Sequence, residues 1–200
     1  MEILLTGNTS FLTQEWLEEA FPNDHVLVTG SKGVPLSDLR IKTVALESKK
    51  LLEQLDTTYQ FDRIVYFSEY LIPHSQREGE LDQLRRVLQQ CRERPVELIY
   101  FSGPESGLTP ITSKSLLAKA AEELCLHYAN TSKVQVKVFR CPYLYSTEAA
   151  VEKALGAVFR QLSEGTVRFD EQAQQPVFAL CFEELASLVN RVMVRLRSSM

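Results

Sequence analysis

The chain has 200 residues, of which 44% are apolar, enough for one domain with one sizeable core. Its 22 basic and 26 acidic side chains leave a net charge of −4, so no positive field draws a phosphodiester backbone and no nucleic-acid partner is expected. Nowhere do about 18 apolar residues run together, so no segment of it is expected to span a membrane.

From the N-terminus, short apolar runs alternate with longer stretches of helical period, the pattern of a parallel sheet with crossover helices. The chain opens on a strand, Ile3–Thr6, and lacks the basic start and long apolar stretch of a signal peptide. A helix is expected over Phe11–Phe21, with Trp16 burying it against the sheet and Glu15, Glu18 and Glu19 on its wet face. Strands follow at Val26–Thr29 and Thr43–Leu46, joined by the segment Gly30–Lys42, whose glycine and proline predict an irregular crossover. Next come a helix Ser48–Tyr59, a strand Arg63–Phe67, a helix Glu78–Arg92, a strand Glu97–Ser102, a helix Ser113–Asn130 and a strand Val134–Phe139. These make six parallel strands, most of them continuous apolar runs, as strands covered on both faces require. A helix Thr147–Ser163, strands Val167–Asp170 and Val177–Cys181, and a helix Glu183–Leu196 end the chain. The expected fold is α/β: a Rossmann-type, doubly wound, mainly parallel sheet with helices on both faces, in a single domain over residues 1–200.

Cys91, Cys125, Cys141 and Cys181 lie far apart, without metal-ligand spacing, and read as reduced core residues, which points to the cytoplasm. His25, His74 and His127 are isolated in the same sense, so no metal site is expected. There is neither a nucleophile elbow nor a Walker-type loop.

The first strand runs into Thr6-Gly7-Asn8-Thr9-Ser10-Phe11-Leu12-Thr13 and then a helix, where dinucleotide-binding folds place a glycine-rich turn. Gly7, Phe11 and Leu12 fit the Thr-Gly-x-x-Gly-Phe-Ile-Gly opening of the extended short-chain dehydrogenase/reductase family, which the chain resembles. Collinear stretches extend the resemblance: Phe61 to Phe67, Leu98 to Ser102, Lys119 to Glu123, Val138 to Tyr145 and Gln175 to Leu185. The resemblance implies a bound NAD or NADP and a Tyr four residues before a catalytic Lys, and this chain departs from both. Ser10 and Thr13 replace glycines that let the pyrophosphate approach, so Gly7, Ser10, Phe11, Leu12 and Thr13 read as a vestigial turn. After the second strand stands Thr29-Gly30-Ser31-Lys32, with no carboxylate for a ribose; Lys32 faces either solvent or a ribose phosphate. Where the phenol belongs, position 115 is Ser, and an aliphatic hydroxyl is a much weaker acid. Ser115 and Lys119 are therefore vestigial, no catalytic residue is assigned, and no cofactor is expected. The family's Ser/Thr falls near Pro104, flanked by Ser102 and Ser106.

Relative to the family, most of the substrate-binding lobe is lacking, so the chain is either a minimal protein or the N-terminal domain of a longer one. The resemblance also implies a homodimer through the helices 78–92 and 113–130, with Leu84, Leu88, Leu117, Leu124 and Tyr128 as interface candidates. The expectation is a catalytically inactive dimerisation or protein-interaction module in an exopolysaccharide or nucleotide-sugar system. Two alternatives stay open. One is an NAD(P)-dependent epimerase, dehydratase or reductase using Lys119 with Ser115, Ser102 or Tyr145; the other is a nucleotide-sensing module.

Overall fold

The computed structural model describes residues 1–29, 40–44, 60–71, 79–107, 112–145 and 179–197. Six strands, β1 (Glu2–Gly7), β2 (His25–Thr29), β3 (Ile41–Val44), β4 (Arg63–Phe67), β5 (Glu97–Ser102) and β6 (Gln135–Arg140), form one sheet in the order β3-β2-β1-β4-β5-β6. Every pairing is parallel, and β1 lies in the middle, with Leu5 opposite both Val28 and Val65. The chain winds outward from β1 on one side and then returns to add β4 on the other, so the strand order reverses between β1 and β4.

Alternation along each strand feeds two cores. Ile3, Leu5, Val65, Phe67, Ile99 and Phe101 face α1 (Gln14–Ala20) and the C-terminal helix (Phe182–Arg197), packing with Trp16, Leu17, Leu185 and Val189. Leu4, Ile64, Tyr66, Leu98 and Tyr100 face α2 (Glu80–Cys91) and α3 (Ser113–Thr131), packing with Leu84, Val87, Leu88, Ala121 and Cys125. The C-terminal helix, α4, is tied to the first: Trp16 Nε1 donates to Phe182 O at 2.7 Å, Ser187 Oγ to Glu19 Oε1 at 2.5 Å, and Asn190 Nδ2 to Glu19 O at 3.1 Å. Beneath α4, buried Arg63 pairs with Glu97 and donates to Met193 Sδ at 3.1 Å. A separate parallel pair, β7 (Tyr143–Tyr145) and β8 (Ala179–Cys181), lies beyond the main sheet.

Several boundaries differ from the sequence reading. Helix α1 begins at Gln14 rather than Phe11, because Thr13 stays extended and its side chain caps Trp16 N at 3.2 Å. Strand β3 starts two residues early, at Ile41; Ile41 enters one core while Lys42 is exposed, so this strand alternates instead of running continuously apolar. The short strand β7 was not expected. The anticipated elements Ser48–Tyr59, Thr147–Ser163 and Val167–Asp170, and most of the segment Gly30–Lys42, lie outside the described residues. Three of the four cysteines are buried thiols, but Cys181, last in β8, is only half-buried and its Sγ donates to Glu183.

The interface candidates need a larger correction. Leu84 and Leu88 have 0% of their surface exposed, and Tyr128 is also buried; all three pack inside the subunit's own core. Leu124 is half-buried against the same cluster. Only Leu117, 44% exposed, faces outward, joined on α3 by Leu116 and Leu126.

Candidate functional site

In open α/β sheets, ligands bind beyond the carboxyl ends of the strands where the order reverses, here β1 and β4. Gly7 closes β1 with φ +85°, and a Cβ on it would sit 2.2 Å from Phe67 O. Only glycine fits so close an approach. The next amide, Asn8 N, donates to that same carbonyl at 2.7 Å, binding the turn to the end of β4.

The turn's side chains bond mostly to the chain itself. Buried Asn8 donates from Nδ2 to Glu69 Oε2 at 3.0 Å, and its Oδ1 accepts from Ser10 Oγ at 2.7 Å and Ser10 N at 3.3 Å. Thr9 Oγ1 donates to Thr29 O at 2.7 Å, closing the space between the turn and the end of β2, and Thr29 Oγ1 donates to Leu5 O at 3.2 Å. Phe11 stacks on Phe182 with centroids 4.8 Å apart and meets Phe67 edge-on, while Leu12 is buried beside them. Ser10 and Thr13, expected to crowd a pyrophosphate, are both exposed; the hydroxyl of the first goes to Asn8 and that of the second caps α1.

Across the reversal point, Ser68 and the short 3-10 helix Glu69–Leu71 follow β4. Ser68 Oγ and Tyr100 OH donate to Glu80 Oε1 at 2.7 and 2.9 Å, and Glu69 N donates to Glu80 Oε2 at 3.0 Å. Burial pushes the Glu80 carboxyl up to about 7, against the lowering effect of these three hydrogen bonds. Burial also raises the phenols of Tyr66 and Tyr100, and the Glu80 charge raises them further.

At the β5–β6 end, Ser102, the 3-10 helix Pro104–Gly107, Glu122 and Arg140 form a second network. Arg140 grips Glu122 with Nε at 3.0 Å from both oxygens and Nη2 at 2.6 Å from Oε2. Ser106 Oγ donates to Glu122, and Ser102 Oγ to Ser106 Oγ at 3.2 Å. Burial alone would raise the Glu122 carboxyl; the hydrogen bonds from Arg140, Ser106 and Ser102 outweigh it and hold the group below the usual carboxylate range.

The positions matched to the family's catalytic pair do not meet. Ser115 is buried at the start of α3, where Oγ donates to Thr112 O at 3.0 Å and accepts from Thr112 N at 3.2 Å in a capping box. Lys119, one turn on, is exposed, and the buried position between them on that side is Ala118. Lys114 instead pairs with Glu105 at 3.3 Å. Lys32 and the Tyr145 side chain lie outside the described residues. Sequence reasoning singled out none of Asn8, Glu69, Glu80, Glu122 or Arg140 as site residues. Apart from the local Asn8–Ser10 contact, their partners are 11 to 61 positions away along the chain, so no short-range spacing signals them.

Neither a protein-family model nor a curated protein sequence matches the chain. Solved structures do. A variant of UDP-glucuronic acid 4-epimerase from Bacillus cereus, holding UDP-4-deoxy-4-fluoro-glucuronic acid and NAD, superposes with TM-score 0.74 at 14% identity, covering 98% of this chain and 73% of its own. The dTDP-glucose 4,6-dehydratase of Bacillus anthracis, in complex with NAD, gives 0.73 at 18% identity, covering 96% and 71%. The UDP-N-acetylglucosamine 4-epimerase of Bacillus cereus gives 0.68 at 16% identity, covering 98% and 74%. The chain therefore shares the Rossmann-type fold of these two nucleotide-sugar epimerases and the dehydratase.

Proposed function

We propose that this domain keeps the frame of the nucleotide-sugar enzymes without their hydride chemistry and acts by association, as a homodimer or as the folded head of a larger assembly. The observation that carries this reading is the fate of Ser115 and Lys119. One hydroxyl is held in a helix cap, the other side chain points to solvent, and no phenol stands beside either on the described part of α3. Proton exchange with a substrate oxygen needs an acid of suitable pKa within hydrogen-bond reach, and this arrangement supplies none.

A dinucleotide also fits the turn poorly. Its pyrophosphate would need backbone amides, yet Ser10 N is taken by Asn8 Oδ1, Leu12 N by Thr9 O at 3.2 Å, and Trp16 N by Thr13 Oγ1. No carboxylate follows β2 to hold a ribose, since Thr29 precedes Gly30-Ser31-Lys32. The outward leucines Leu116, Leu117 and Leu126 of α3 give association a surface. The nucleotide-sugar setting is drawn from the fold neighbours, and the exopolysaccharide one from the family resemblance alone.

Calorimetry with NAD⁺, NADH, NADP⁺ and NADPH, followed by turnover assays on any binder, tests the chemistry. Hydride transfer would reject the reading, and micromolar binding without turnover would replace it with nucleotide sensing, which Gly7 and the NAD-bound neighbours favour. Sedimentation of the parent protein and of Leu117→Glu tests association: a dimer that the variant dissociates is expected, and a monomeric parent counts against it.

A further inference from the structure

Glu80 opens α2 with 5% of its surface exposed, yet no Lys, Arg or His among the described residues pairs with it. Among the described residues, the titratable groups that face it are all acids: Tyr66 from β4, Glu69 and Tyr70 from the 3-10 helix after β4, Tyr100 from β5 and Cys125 from α3.

The two oxygens of Glu80 have different surroundings. Oε2 meets the Glu69 amide, which can only donate, so this oxygen must stay a bare acceptor. Oε1 meets the hydroxyls of Ser68 and Tyr100, which donate to a carboxylate but can turn and accept from a carboxylic acid. A proton on Oε1 is thus accommodated without breaking the link to β4. Ser68 Oγ also accepts from Tyr70 N at 3.1 Å, so the cluster joins α2, β5 and the segment after β4 at one point.

We propose that Glu80 is a proton-operated latch between the N-terminus of α2 and the exits of β4 and β5, firm when Oε1 carries a proton and loosened when the proton leaves. The ionised form places a buried negative charge beside Glu69, whose side chain holds Asn8, so the loosening reaches the β1 turn. Burial raises the carboxyl from 4.5 to about 7. Its stabilising effect is therefore complete below the unfolded value and is lost as pH rises through about 7. Between pH 6 and 8 the folded-to-unfolded ratio falls by roughly tenfold from this group alone. The latch is independent of the association reading, because it concerns the fold of one subunit.

Urea unfolding of the 200-residue protein and of Glu80→Gln at pH 6, 7 and 8 tests it. The glutamine can keep its oxygen on Glu69 N and turn its amide nitrogen to the hydroxyls. The parent is expected to lose about tenfold more of its folded-to-unfolded ratio over that range than Glu80→Gln. The N-terminal amine and the histidines, common to both proteins, cancel in the difference. Equal pH slopes overturn the latch. If the variant does not fold, the carbon-13 carboxyl resonance of Glu80 in the parent decides: a midpoint near 7 supports the proposal, and one below about 5 overturns it. Tyr100→Phe, which removes a donor to the ionised form, should move that midpoint upward; an unmoved midpoint also counts against the latch.

Discussion

The two halves of the sheet's carboxyl edge treat the dinucleotide pattern in opposite ways. At β1 and β4, Gly7 retains the left-handed backbone and the close approach to Phe67 O. On α3, the positions matched to the resembled family's catalytic pair hold a capping serine and a solvent-facing lysine. The difference follows from what each residue does for the fold. Gly7 is needed for two strands to lie side by side, whether or not a ligand ever arrives. A catalytic phenol serves only the reaction, and the helix is capped equally well without it.

Substitutions along this edge break or sharpen the contrast. The largest effect is expected for Gly7→Ala, which adds a Cβ at 2.2 Å from backbone in a left-handed conformation. A loss of about 4 kcal/mol in urea unfolding, or failure to fold, is expected. Gly79→Ala makes the control, for it shares a positive φ of 96° but has nothing within 4 Å of the added carbon, and about 1 kcal/mol is expected. If the two cost the same, strand packing is not what requires Gly7.

On the opposite face, Leu88→Ala should cost about 3 kcal/mol at any protein concentration, since its side chain fills the subunit core. Leu117→Ala should leave monomer stability within about 0.5 kcal/mol and change only association. A concentration-dependent loss for Leu88→Ala would return that residue to the interface.

Glu122 sets the acid limb. Its carboxyl is held below the usual range, so its stabilisation is present above the unfolded value of about 4.5 and is lost as pH falls through the lowered one. Glu122→Gln should flatten unfolding profiles between pH 5 and 3 at a cost of about 2 kcal/mol at pH 7, reduced from a fully buried pair because Arg140 is largely exposed. An unchanged acid profile would show that Arg140 contributes nothing there. The smallest effects belong to the family's catalytic positions. Ser115→Ala should cost about 1 kcal/mol through the lost cap, and Lys119→Ala less than about 0.5 kcal/mol, both read by thermal unfolding.

The frame was legible because strands buried on both faces read as unbroken apolar runs: Arg63–Phe67 and Glu97–Ser102 stand where the sequence reading put them. The edge strand β3 was displaced because Lys42 faces solvent on one side and interrupts the run. Of the site, Gly7 was readable from its place after a strand. Asn8–Glu69 and Glu122–Arg140 were not, since each bond joins separate elements and forms only once the sheet has assembled. The interface leucines were over-read for a related reason. An apolar arc shows that a helix is covered, but not whether its own sheet or another subunit covers it.

The bond from Trp16 to Phe182 spans 166 positions, and it bears on how the protein is made. Strand β1 leaves the ribosome before the other five strands but belongs in the middle of the sheet, so it must wait for β4 before its second edge is covered. Helix α1 waits longer still, because the apolar stripe bearing Trp16 and Leu17 is sealed only when α4 is synthesised. Nascent chains stalled before residue 182 should therefore show a water-exposed indole and bind chaperones, while chains with α4 folded show a shielded one.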